Sequence, residues 1–176
     1  MRQRSSSRDS TPGRDPRKNQ PVGSALDAGL RLLGRRAHSR VELRRKLARR
    51  GYSTNETEAA LSRLVELGYL DDKAFAAGHV RRRGGVRGPL ALSAELAARG
   101  VDRAEADAAL AAFDQEAQLA SATYLAERLC ARKLVGGYRE MLDQVGSKLV
   151  RRGFSPAIVR AACQAVLAGT STQPEA

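Results

Sequence analysis

Tryptophan is absent from this 176-residue chain, aromatic residues amount to only 4%, and cysteine and histidine occur twice each. Hydrophobic residues still make up 42%, so a continuous core is within reach, but it has to be aliphatic and alanine-rich, a helical composition. The longest unbroken apolar run, Ala108 to Phe113, is six residues. A bilayer-spanning helix needs roughly 20, so no transmembrane segment is expected. The opening stretch, MRQRSSSRDSTPGRDPRK, is charged and polar and offers no apolar core for a secretory signal; the chain is expected in the cytoplasm. Cys130 and Cys163 lie far apart without CxxC spacing, which speaks against a disulfide framework, a zinc site or redox chemistry.

Acidic residues are in the minority, 19 against 31 Lys and Arg, for a net charge of +12. The excess sits at the two ends: +4 over residues 1–23, +5 over 24–70, zero over 71–114 and +3 over 115–176. Of the basic residues 26 are Arg, whose planar fork suits phosphate and carboxylate; a GC-rich genome would also favour Arg, so polyanion binding is permitted by composition alone and not required by it.

Residues 1–23 hold serine, proline and glycine with almost nothing apolar, a composition that cannot repay the entropy of ordering. A disordered basic tail is expected there and a short disordered tail over 170–176. Between them lies an internal repeat. Leu43 to Leu64, Leu92 to Phe113 and Val145 to Val166 superimpose without gaps. Apolar pairs (Leu43 and Leu47, Leu92 and Leu96, Val145 and Leu149) precede Gly51, Gly100 and Gly153, each placed to end a helix in the left-handed conformation. Tyr52, Val101 and Phe154 follow, suited to pack back over the helix just ended. Ser53, Asp102 and Ser155 then stand as N-caps, the first two opening capping boxes with Glu56 and Glu105, the third followed by Pro156.

A further helix precedes each pair. Leu26, Leu30, Leu33 and Ala37 share one helical face, and a capping box at Ser39 and Glu42 starts the next helix. Asp71 or Asp72 caps a helix carrying Phe75 and His79, after which Gly84, Gly85 and Gly88 break the chain and Pro89 restarts it. Leu119, Ala122, Ala126 and Leu129 form the third stripe, broken at Gly136 and Gly137. The expected architecture is all-α: an elongated, curved array of three tandem three-helix repeats over 24–70, 71–114 and 115–169, with glycine spacings of 49 and 53 residues.

No catalytic constellation accompanies this frame. A phosphate loop, an HExxH pair, a GxSxG elbow and a metal-ligand cluster are all missing. His38 and His79 read as solvated or core-edge residues, and Cys130 and Cys163 as small core residues, although Arg128, Arg132 and Lys133 could activate Cys130. The Gly84 to Gly88 stretch is a weak phosphate cradle. No enzyme and no cofactor are expected. The candidate site is surface charge: Arg44, Arg45, Lys46, Arg49 and Arg50 on one helix, Arg81, Arg82, Arg83 and Arg87 on a second segment, and Lys148, Arg151 and Arg152 on a third. Basic residues near helix C-termini also suit the macrodipole, but capping does not need four or five per turn-rich segment. With so few aromatics, any nucleic-acid contact should be mostly to phosphate.

The ordered set Leu33, Arg36, Ser39, Glu42, Leu43, Lys46, Leu47 and Gly51, followed by Gly68, Leu70, Asp71, Asp72, Phe75, Ala76, Val80, Arg83, Gly88, Leu92, Leu96 and Gly100, and then SKLVRRGF at 147–154, resembles RecX, the bacterial regulator of the RecA recombinase. The resemblance covers about residues 24–168. It implies three tandem three-helix modules lying in the groove of the RecA filament on single-stranded DNA, which lower filament extension, ATP hydrolysis and strand exchange without an ATPase of their own. A monomer without a membrane partner is expected, with direct contact to DNA phosphate left open. The competing reading is a helix-turn-helix transcription factor, which the helix-Gly-helix pairs superficially match.

Overall fold

The computed structural model describes residues 23–131 and 137–170. Residues 1–22, the expected break at Gly136 and the chain from residue 171 lie outside them. The described residues are helical throughout, without a strand. In order they form α1 (Ala25–Leu33), α2 (Arg40–Arg49), α3 (Thr54–Glu66), α4 (Asp72–Arg83), α5 (Pro89–Ala98), α6 (Arg103–Ala111), α7 (Gln115–Cys130), α8 (Tyr138–Met141), a π-helical turn (Leu142–Gly146), α9 (Ser147–Arg151) and α10 (Pro156–Thr170). Because α8, the π turn and α9 run on as one rod, the array is three modules of three helices. No described helix is long and apolar enough to cross a membrane.

Each module encloses its own core. Leu43, Leu47, Leu61 and Leu64 are fully buried in the first, Leu92 and Leu96 in the second, and Met141, Leu149 and Cys163 in the third. Burying a leucine contributes about 1.5–3 kcal/mol, so the apolar pairs four residues apart suffice to fix which face of each middle helix turns inward. Within every module the first and third helices pack most extensively, α1 on α3, α4 on α6 and α7 on α10.

The turn glycines carry φ of +91° at Gly51, +74° at Gly100 and +88° at Gly153. After each, the chain bonds back as a Schellman cap: the amides of Tyr52, Val101 and Phe154 donate to the carbonyls of Leu47, Leu96 and Leu149. The three side chains are 6%, 7% and 1% exposed, so they close the cores as the repeat predicts. Ser53 and Glu56 form a complete reciprocal capping box.

Other local expectations need correction. The helix through Leu26 and Leu30 stops at Leu33 with Gly34 as its C-cap, which leaves Ala37 exposed in the following turn; its innermost residues are Ala25, Ala28, Gly29 and Leu32, with the leucines 26, 30 and 33 half-buried beside them. Gly29 faces Leu64, where a Cβ would meet Cδ1 at 2.8 Å; small residues were needed at this contact and large ones flank it. Ser39 caps α2 by accepting from the Glu42 amide, but the Glu42 carboxylate turns to Arg36, His38 and Arg99. Asp102 accepts from the Ala104 amide in place of the Glu105 amide. Of the two candidate caps of α4, Asp71 takes the role, bonding the Ala74 amide. Its neighbour Asp72 instead accepts from the Arg40 amide in the first module, at 2.7 Å.

The modules meet through turns, and the two joints share one design. At the first, the Ser39 hydroxyl donates to the Arg99 carbonyl at 2.6 Å, and Val41 lies so close to Gly100 that a Cβ there would stand 2.5 Å from Val41 Cβ. At the second, the Gly88 amide donates to the Arg152 carbonyl at 2.9 Å and the Leu90 amide to the Gly153 carbonyl at 3.2 Å. There a Cβ on Gly153 would fall 2.3 Å from the Ala91 nitrogen. In each case the N-terminus of one middle helix is seated on the glycine turn that ends the next.

Candidate functional site

Two clefts lie over these joints, and arginine dominates both. The one between modules 1 and 2 has a volume of about 760 Å³ and gathers Arg36, Arg82, Arg83 and Arg99 around His79 and Glu95. The one between modules 2 and 3, about 520 Å³, gathers Arg83, Arg87, Arg128 and Arg152 with Leu125 and Leu129. Arg83, at the C-terminal end of α4, lines both.

The zero net charge of the second unit therefore conceals a segregation. Its arginines from Arg82 to Arg99 line these two clefts, whereas Asp71 and Asp72 line another with Glu105. There burial, reinforced by the charges of Asp72, Asp102 and Asp71, pushes the Glu105 carboxyl above its ordinary range. Positive charge continues across the middle module on the side of the arginine clefts.

A histidine, a carboxylate and arginines form one network within the middle module and a second at the first joint. His79 is 5% exposed, and its Nε2 lies 2.8 Å from Glu95 Oε2. Arg83 and Arg87 approach the other carboxylate oxygen at 3.3 and 3.4 Å. Burial lowers the His79 pKa, the charge of Arg99 adds to that, and the bond to Glu95 opposes it without prevailing. Burial alone would raise the Glu95 pKa, but the bonds from Arg83 and His79 hold it below the ordinary carboxylate range. Both directions describe one state: a neutral imidazole donating through Nε2–H to an ionised carboxylate. His38 repeats the arrangement at the first joint, where its Nδ1 is 3.3 Å from Glu42 Oε2. Its pKa is lowered by burial and by Arg36, while Arg36 and His38 together outweigh burial and lower that of Glu42. Arg99 Nε reaches Glu42 from the second module at 3.7 Å.

The sequence-derived candidates divide between these clefts and open surface. Arg82, Arg83, Arg87 and Arg152 are brought together at the joints. Arg81, one residue from Arg82, turns to a separate hollow beside Phe113. On α2 and its C-cap, Arg45, Arg49 and Arg50 are exposed and Lys46 is half-buried, and Arg44 is held by Glu58 through Nε at 2.5 Å and Nη2 at 3.0 Å. Lys148 and Arg151 are exposed on α9. Charge density alone missed Arg36, Arg99 and Arg128. Arg99 was detectable from the repeat: Arg50, Arg99 and Arg152 all directly precede a turn glycine. Arg128 carries no such signal; its guanidinium lies 5.7 Å from the centre of the Tyr124 ring, a local cation–π contact.

Neither cysteine resembles a nucleophile. Burial raises the pKa of Cys130 despite Lys148 nearby, and burial raises that of Cys163. The Cys130 thiol lies 3.1 Å from Met141 Sδ. Arg132 and Lys133, considered as activators, lie outside the described residues. Among the described residues no group of His, Cys, Asp and Glu could hold a metal ion.

Fold and clefts together define a tandem array of basic three-helix modules joined head to tail. Comparison with known proteins narrows the class to one family. Residues 25–64 match the family model "RecX, first three-helix domain" and residues 71–110 match "RecX, second three-helix domain". The chain is 40% identical over 154 residues to the regulatory protein RecX of Xanthomonas axonopodis pv. citri, covering 85% of this chain and 90% of that one. It is 37% identical over 142 residues to RecX of Mycobacterium marinum, with coverages of 79% and 80%. The crystal structure of RecX from Lactobacillus salivarius superimposes with a TM-score of 0.74 at 25% identity, covering 82% of this chain and 95% of that one. The chain belongs to the RecX family of regulatory proteins.

Proposed function

We propose that this protein binds the RecA filament on single-stranded DNA and restrains its extension, ATP hydrolysis and strand exchange, as a cytoplasmic monomer with no catalytic activity of its own. The observation that carries this reading is the gathering of arginines at both module joints, linked through Arg83, in a chain of the RecX family. An array that repeats along its length suits a partner that also repeats, and its arginines suit the phosphates and acidic side chains of a nucleoprotein. In this reading residues 24–70, 71–114 and 115–169 act as three units. The α2 group of Arg44, Arg45, Lys46, Arg49 and Arg50, together with Arg81, Lys148 and Arg151, adds outer contacts to those of the clefts.

The test is a titration of the protein into cognate RecA hydrolysing ATP on single-stranded DNA, where progressive inhibition is expected. Replacing Arg45, Lys46 and Arg49 together by Ala should weaken inhibition while the far-ultraviolet circular dichroism stays unchanged. Absence of inhibition over a wide concentration range overturns the proposal. Tight binding to one preferred duplex sequence would favour a helix-turn-helix transcription factor instead.

A further inference from the structure

The cleft between modules 2 and 3 is built differently from the other. Between modules 1 and 2, Arg36 and Arg99 share Glu42, and Glu95 and His79 line the cavity wall. Between modules 2 and 3, Glu95 is shared by Arg83 and Arg87, whereas Arg128 and Arg152 meet no carboxylate among the described residues. Arg128 lies over the half-exposed Tyr124 ring, with Nη1 3.5 Å from its hydroxyl. Four guanidinium groups thus converge from α4, the loop after it, α7 and the end of α9 on one cavity of about 520 Å³. A planar carboxylate is satisfied by one bidentate fork, whereas a tetrahedral phosphate accepts donors from several directions. The geometry favours phosphate.

The cleft also straddles a joint. Arg83 and Arg87 belong to module 2 and Arg128 and Arg152 to module 3, and the backbone carbonyl of Arg152 accepts the Gly88 amide that seats one module on the next. An anion touching both sets closes the joint from its open side.

We propose that this cleft takes a phosphodiester of a nucleic-acid strand and that its occupancy locks modules 2 and 3 together. The inference deepens the reading above and rests on its nucleic-acid side. Tyr124, 54% exposed at the edge, offers a face for a neighbouring base.

The test uses the full chain and a short labelled oligo(dT), with affinity read by fluorescence anisotropy over a salt series. Single strands contribute about 0.7 to the slope of log affinity against log salt per phosphate neutralised. The cleft holds one phosphate, so the double variant R128A/R152A should lower the slope by up to about 0.7, and R128K/R152K, which keeps the charge, should restore it. In parallel, the oligonucleotide should slow hydrogen exchange at the Gly88 and Leu90 amides of the parent protein but not of R128A/R152A. Helicity measured beforehand confirms that the variants fold; if the double variant does not, Arg128→Glu on the exposed face of α7 replaces it, with a fall in slope of similar size expected. An unchanged slope in a folded variant overturns the proposal. Equal protection by inorganic phosphate at matched phosphate concentration overturns the strand, and equal protection by polyglutamate overturns phosphate in favour of an acidic protein segment. RecA ATPase inhibition is scored separately: inhibition by the parent with an unaltered slope in the variant defeats the cleft alone, and the expected slope change without inhibition defeats the filament reading alone.

Discussion

Two histidines in a chain so rich in arginine are conspicuous for being buried and uncharged. His38 is 3% and His79 5% exposed, and burial lowers the pKa of each below its ordinary 6.5. An unfolded chain takes up protons at these residues as pH falls through 6.5, and the folded chain does so only at lower pH, so folding is opposed progressively below that value. Glu42 and Glu95 act in the same direction further down. Their folded pKa values lie below 4.5, so the stability they contribute is present above 4.5 and lost as pH falls through the folded values. The melting temperature should be flat above neutrality and decline from about pH 6.5 downward. H38Q/H79Q, which can still donate to the two carboxylates, should flatten the decline between pH 6.5 and 5 while leaving the steeper fall in more acid solution. A decline of equal size in the double variant would mean that other groups are responsible.

At the scale of the helix, the turn glycines have two requirements that separate cleanly. Gly68 ends α3 at φ +73° with nothing within 4 Å of a built Cβ, whereas Gly153 ends α9 at φ +88° with the Ala91 nitrogen 2.3 Å away. Gly68→Ala should cost about 1–2 kcal/mol, the price of the left-handed backbone. Gly153→Ala should lose more than that in denaturant titrations and displace the joint, seen as altered amide shifts from Gly88 to Ala91. Equal losses would show that contact adds nothing to backbone strain. This double duty also explains what sequence could reveal. The glycine, its apolar successor and the cap after it announced the repeat, because backbone conformation and local hydrogen bonds are set within a few residues. That Gly88 and Gly153 also admit a neighbouring backbone was not legible, since the partner is 65 residues away. Glu42, read as a capping-box member from Ser39 three residues before it, is drawn off instead by Arg36 and His38, close in sequence but brought to it by the turn between α1 and α2, with Arg99 of the next module farther away. The arginine-rich segments were evident from composition, but which arginines share a cleft depends on how modules stack. The π turn at 142–146, where helix wall meets Val159 at Gly146, left no trace in a gapless alignment.

Across the whole molecule, three separate cores are connected by turns, a few backbone and side-chain hydrogen bonds and an ion-pair network. Such a body opens at its joints before it melts in its cores. In native-state hydrogen exchange the Gly88 and Leu90 amides should exchange faster than those of the buried residues Leu47, Leu96 and Leu149. Ser39→Ala removes both the cap of α2 and the donor to the Arg99 carbonyl, and should destabilise the protein by about 1–2 kcal/mol while the third module's amides keep their protection. Uniform loss of protection over the chain would instead make it a single cooperative unit.

Both joints run in the same sense, start of one middle helix onto end of the next, so the array has a front and a back that cannot be exchanged. Turning it end for end would present Arg128 and Arg152 where Arg36 and Arg99 had been, with different neighbours around each. A chain put together this way carries an arrow along its axis, and any directional polymer that accommodates it must do so in one orientation.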